Sequence, residues 1–194
     1  MRITYGKNVY GIEEINSVKK QLKQSTQMGK SVKEFEKKIA KKFSKKYGIM
    51  VNSGSSAIML AIHVLNLKKN NEVITPCLNF GTAVSSLMHF GIKPVFVDID
   101  LETLQIDINQ IEKKISKNTK AIMVPNLIGN IPDWNEIFLI AKKYKLKIIE
   151  DSADTLGAKI NNKSTGIFSD ISITSFYGSH IISCAGNGGM LVTN

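Results

Sequence analysis

Ala121-Ile122-Met123-Val124, an amphipathic stretch over 133–144, and Lys147-Ile148-Ile149-Glu150 form the passage that decides the fold. Two short apolar runs flank a segment with helical periodicity, which reads as strand, helix, strand. Apolar runs without alternation suit strands buried on both faces, and a helical connection of this length makes the two strands parallel. Working upstream, the same switch of period recurs. Ile49-Met50-Val51 precedes a helix over 56–65, and Glu72-Val73-Ile74 precedes a helix over 82–90 stopped by Gly91. Pro94-Val95-Phe96-Val97-Asp98 then precedes a helix over 108–115. Downstream the text becomes strand-rich, with strands expected over 157–160, 171–176 and 189–193. The chain opens with two amphipathic helices, carried by Ile12, Ile15, Val18 and Leu22 and by Val32, Phe35, Ile39 and Phe43, with Met28-Gly29-Lys30 between them. The expectation is an α/β domain over 1–194, a mostly parallel sheet flanked by helices on both faces, with 1–47 as a helical lead-in. Gly188-Gly189-Met190-Leu191-Val192-Thr193-Asn194 reads as a strand entering a turn, so the chain is expected to stop within its architecture.

The composition narrows the function classes. At 194 residues, with 43% hydrophobic and 22% charged residues, the chain has the make-up of a globular domain rather than a disordered or fibrous one. No run approaches ~18 apolar residues, and the first eight lack the apolar core of a secretory signal, so a cytoplasmic location is expected without membrane association. A net charge of +10 favours an anionic partner. Arg2 is the only arginine among the 26 Lys+Arg, however, and phosphate-backbone or base-edge reading favours the arginine fork. Nucleic acid is therefore not expected as a partner. Cys77 and Cys184 form neither a disulfide framework nor a CxxC pair, and no metal site is expected.

Open parallel sheets hold ligands beyond the carboxyl ends of their strands, and three such places carry suitable residues. Asn52-Ser53-Gly54-Ser55-Ser56-Ala57 joins a strand to a helix start, where free N–H groups and the helix dipole favour an anion such as phosphate. It reads equally as an ordinary serine N-cap. Glu150-Asp151-Ser152-Ala153-Asp154 clusters carboxylates after a buried strand, able to hold a cationic ring nitrogen, or to stand as loop acids facing water. Ser175-Phe176-Tyr177-Gly178-Ser179-His180 leads a strand into a polar turn bearing a histidine. His63 and His89 fall on helices, where packing or capping is expected.

In this order and spacing, the three segments resemble the large domain of the DegT/StrS-type sugar-nucleotide aminotransferases, pyridoxal-phosphate enzymes of fold type I. Glu72-Val73-Ile74-Thr75-Pro76, Lys93-Pro94-Val95-Phe96-Val97-Asp98-Ile99-Asp100 and Gly188-Gly189 extend the likeness along the whole chain. It covers about the first half of a full-length member, lacking the C-terminal small domain. The resemblance implies that Gly54, Ser55 and Ser56 bind the cofactor phosphate with Ser175. It also implies that Phe80 stacks on the pyridine ring and that Asp151 pairs with the ring nitrogen and keeps it protonated.

The departure is at His180, where aminotransferases of the family carry the Schiff-base lysine. A subgroup with histidine here comprises nucleotide-sugar 3-dehydratases, which hold pyridoxamine 5'-phosphate non-covalently. Asn126-Leu127-Ile128-Gly129-Asn130 before Pro132-Asp133-Trp134 is similar to theirs as well. The resemblance thus implies deoxygenation at carbon 3 of a 4-keto-6-deoxy nucleotide sugar, in deoxysugar and surface-polysaccharide synthesis, with His180 as general base. It further implies a homodimer and, in some members, a [2Fe-2S] cluster held by the C-terminal half, for which Cys77 and Cys184 do not suffice. An inactive cofactor-binding fragment and a lysine-less aminotransferase remnant are the alternative expectations.

Overall fold

A computed structural model describes residues 9–194. Residues 1–8, read above for a signal, lie outside the described residues. In chain order the elements are α1 (Ile12–Gln24), α2 (Lys30–Lys42), β1 (Tyr47–Val51), α3 (Gly54–Val64), β2 (Glu72–Pro76), α4 (Gly81–His89), β3 (Lys93–Val97) and α5 (Ile108–Lys114). They continue with β4 (Thr119–Pro125), α6 (Trp134–Tyr144), β5 (Lys147–Asp151), β6 (Lys159–Ile160), β7 (Lys163–Ser164), β8 (Ile171–Ser175) and β9 (Gly189–Thr193).

Seven strands form one sheet in the order β1-β9-β8-β5-β4-β2-β3. From β3 to β8 every pairing is parallel, whereas β9 runs antiparallel to both β8 and β1. All strands but β9 therefore end at one edge, and β9 begins there. The chain steps outward from β2 to β3 and then crosses to β4 and β5 on the other side, which opens a crevice between the ends of β2 and β4.

Strand alternation builds two cores. Val73, Ala121, Met123 and Ile149 face α3 and α4, through Ala57, Ile58, Ala61, Ile62, Ala83 and Leu87. Their neighbours Ile74, Ile122, Val124 and Ile148 face α5 and α6, through Ile111, Trp134, Ile137, Ile140 and Ala141. Helix α2 covers β9 with Ile39, Ala40 and its C-cap Phe43 against Met190 and Val192. Helix α1 is amphipathic as expected but buries none of its residues. Among the described residues no helix is long and apolar enough to cross a membrane.

One expected strand differs. Of 157–160 only Lys159–Ile160 is extended, and it pairs with Lys163–Ser164 in a separate hairpin. Asn161 and Asn162 supply the two positive-φ positions of its turn. The run is too short and its burial too slight to join the main sheet.

The start of β9 packs closely against the residues that open α3. A Cβ on Gly189 would lie 2.3 Å from the Ser53 carbonyl carbon and oxygen. Gly189→Ala should destabilise the fold by about 1–3 kcal/mol, read as a lowered denaturation midpoint at unchanged slope, because backbone cannot yield as a flexible side chain would.

Candidate functional site

A cavity of about 910 Å³ lies at the carboxyl edge of the sheet. One wall is the start of α3. Ser53 caps this helix, its Oγ accepting from the Ser56 N–H at 3.1 Å. The Gly54 and Ser55 N–H groups, in the first turn, have no intrahelical partner, and both residues line the cavity. The cap and the anion-ready helix start are thus one structure, and the two readings of this turn are compatible. Gly54 is pressed against β8, where a Cβ would meet Ser175 Cβ at 2.8 Å, so its lack of a side chain brings the Ser175 hydroxyl beside the helix start. Ser56 is not on the cavity wall, since its N–H and hydroxyl both turn to Ser53.

The acids at the end of β5 separate by strand alternation. Asp151 points to the cavity yet is only 5% exposed, with Oδ1 accepting from the Ala153 N–H at 3.0 Å. Burial pushes its carboxyl up to about 7; the Ala153 hydrogen bond opposes the shift, and the charges of Asp154 and Glu150 add to it. Glu150 is fully buried and accepts from Asn126 Nδ2 at 3.0 Å and from the hydroxyls of Ser152 at 2.9 Å and Ser172 at 2.6 Å, with Thr165 and Ser169 also donating. The Lys45 ammonium, held below the usual lysine range by burial, donates to the Ser169 carbonyl nearby. Asn126, which also lines the cavity, accepts from Trp134 Nε1 at 2.8 Å. The reading of Glu150 and Asp151 as loop acids facing water is therefore incorrect: both side chains are enclosed by elements far away in sequence.

The turn after β8 places His180 on the same cavity, its N–H bonded to the Tyr177 carbonyl at 2.9 Å. Its Nδ1 is sealed from solvent with no hydrogen-bond partner among the described residues, and Nε2 stands 3.6 Å from Asp154 Oδ1. Phe80, the N-cap of α4, contributes a largely exposed side chain to the cavity lining. Gly54, Ser55, Phe80, Asp151, Ser175 and His180 are thus brought together, whereas Ser56 stands behind the wall. His63 and His89 lie exposed near helix ends, each beside the Phe90 ring. Asn126, Asp154 and Tyr177 line the cavity as well; each lies in a stretch quoted from the sequence, but none was given a role of its own.

A model of the DegT/DnrJ/EryC1/StrS aminotransferase family matches residues 9–194. GDP-perosamine synthase of Escherichia coli O157:H7 is 40% identical over 166 residues, 86% of this chain and 45% of that protein. GDP-4-keto-6-deoxy-D-mannose 3-dehydratase of Escherichia coli O55:H7 is 38% identical over 174 residues, covering 86% and 44%. The solved E. coli GDP-4-keto-6-deoxy-D-mannose-3-dehydratase with bound hydrated PLP superposes with a TM-score of 0.92 at 34% identity, over 100% of this chain and 51% of that one. The chain spans about half the length of the curated relatives it matches.

Proposed function

The chain belongs to the DegT/DnrJ/EryC1/StrS aminotransferase family, and from that premise we propose that residues 1–194 form the large, cofactor-binding domain of a pyridoxal/pyridoxamine 5'-phosphate-dependent 3-dehydratase. Its substrate is a 4-keto-6-deoxy nucleotide sugar, consumed in deoxysugar synthesis. The observation that carries this reading is His180, an imidazole on a cavity whose lining, among the described residues, includes no lysine. Amine transfer by an internal Schiff base needs a primary amine at that wall.

The residues present fit such a cofactor. The Gly54 and Ser55 N–H groups with the Ser175 hydroxyl suit a phosphate at a helix start. Phe80 offers a ring face, and buried Asp151 offers a carboxylate to a protonated ring nitrogen. When bound, pyridoxamine phosphate supplies an amine for the sugar ketone and a ring that takes up electrons. A cationic ring nitrogen beside Asp151 would hold its carboxyl ionised against the pull of burial. With Nδ1 sealed, Nε2 is the nitrogen left for His180 to take up and return a proton.

The 40% identity to a perosamine synthase supports a second reading, a lysine-less aminotransferase remnant that still binds cofactor. The polypeptide carrying this chain, given stoichiometric pyridoxamine phosphate and GDP-4-keto-6-deoxymannose, should release a sugar nucleotide one oxygen lighter, with one pyridoxamine phosphate oxidised to pyridoxal phosphate and one ammonia released per product. Cofactor binding with no such product in the parent, and amine transfer appearing in His180→Lys, would favour the second reading instead.

A further inference from the structure

We infer that Asp154 is the positioning residue for His180, holding the imidazole on the cavity wall and stabilising its charge from the moment Nε2 carries a proton and donates it toward the carboxylate. This rests on the proposed function for its kinetic meaning, but its geometry stands alone. With Nδ1 buried and unpartnered, the Asp154 carboxylate at 3.6 Å from Nε2 is the only polar partner of the ring among the described residues. Tyr177 confines the ring from the side, edge-on at 6.0 Å between centroids, without offering it a hydrogen bond. No other carboxylate lies within 4.0 Å of the imidazole among the described residues.

Asp154 is itself held. Its Oδ2 accepts from the Ile128 N–H at 3.3 Å. Ile128 sits at φ 57 and ψ 28, a left-handed conformation that a β-branched residue adopts only when its surroundings impose it. The Leu127–Gly129 turn after β4 and the Tyr177–His180 turn after β8 are thus bridged by one carboxylate, with one oxygen to each. A separation of 3.6 Å is looser than a formed hydrogen bond, as is common in catalytic pairs before ligand binds.

A residue that acts through His180 must lose its effect when His180 is gone. Asp154→Asn keeps the shape and removes the charge. It should lower kcat by about tenfold or more with KM nearly unchanged, and Asp154→Glu should recover part of the loss. In a His180→Asn background the same change should cost nothing further, whereas a general structural role would cost as much in either background. Ring 15N signals of His180 in the full chain should shift in Asp154→Asn at neutral pH. Additive losses, or unshifted ring signals in a folded Asp154→Asn, overturn the assignment. Absence of 3-dehydration in the parent would overturn the functional reading alone, since the ring signals report on Asp154 without turnover.

Discussion

His180→Asn should cut turnover by roughly 10²- to 10⁴-fold, the range by which positioned general bases accelerate reactions, with cofactor affinity little changed. Among the described residues the side chain makes no hydrogen bond and its one ionic contact is Asp154, so its removal leaves no buried charge and the fold should be unaffected. Asparagine cannot hold the proton that an imidazole accepts near neutrality. Single-turnover measurement of oxygen loss from the sugar nucleotide, beside equilibrium binding of pyridoxamine phosphate, separates the two effects. A variant that turns over normally, or one that binds cofactor many-fold more weakly, would remove His180 from the proton-moving role.

Asp151→Asn should have two opposite effects. In the cofactor-free protein, the folded carboxyl titrates at about 7 against an ordinary value of 3.8, chiefly because of burial. The folded state therefore holds its proton longer than the unfolded chain does. This contribution to stability is full below about pH 4, declines as pH rises toward 7, and is absent above it. At pH 8 the asparagine variant should be more stable than the parent by up to about 4 kcal/mol, and near pH 4 the difference should vanish. Cofactor affinity should move the other way, falling about 30-fold or more as the buried partner of the ring nitrogen loses its charge. Denaturant titrations across pH check the first effect and cofactor titrations the second. A stability difference independent of pH would contradict the burial argument.

Much of this architecture is legible locally. The runs Val73-Ile74, Ala121–Val124 and Ile148-Ile149 are apolar without alternation because helices cover both faces of their sheet, and the structure divides their side chains between two cores. The direction of β9 is not legible, since a strand of Gly189-Met190-Leu191-Val192-Thr193 reads alike in either sense, and it appears only in the antiparallel pairing with β8 and β1. Glu150 shows the same limit: its five side-chain partners come from Asn126, Ser152, Thr165, Ser169 and Ser172, and no local pattern reports that enclosure. The site residues drawn from family resemblance converge on one cavity except Ser56, whose N–H and hydroxyl serve the cap. Asp154 escaped because its meaning depends on Ile128 and His180, each 26 residues away.

On the proposed function, this cavity holds a pyridine cofactor with a histidine where an amine would otherwise fix it. The most direct measurement is the fate of stoichiometric pyridoxal phosphate after borohydride reduction and denaturation, read by intact mass and peptide mapping. Non-covalent release from the parent chain and a reduced adduct at residue 180 of His180→Lys are the expected results. A specific adduct on another lysine of the parent, unchanged in His180→Lys, would contradict it.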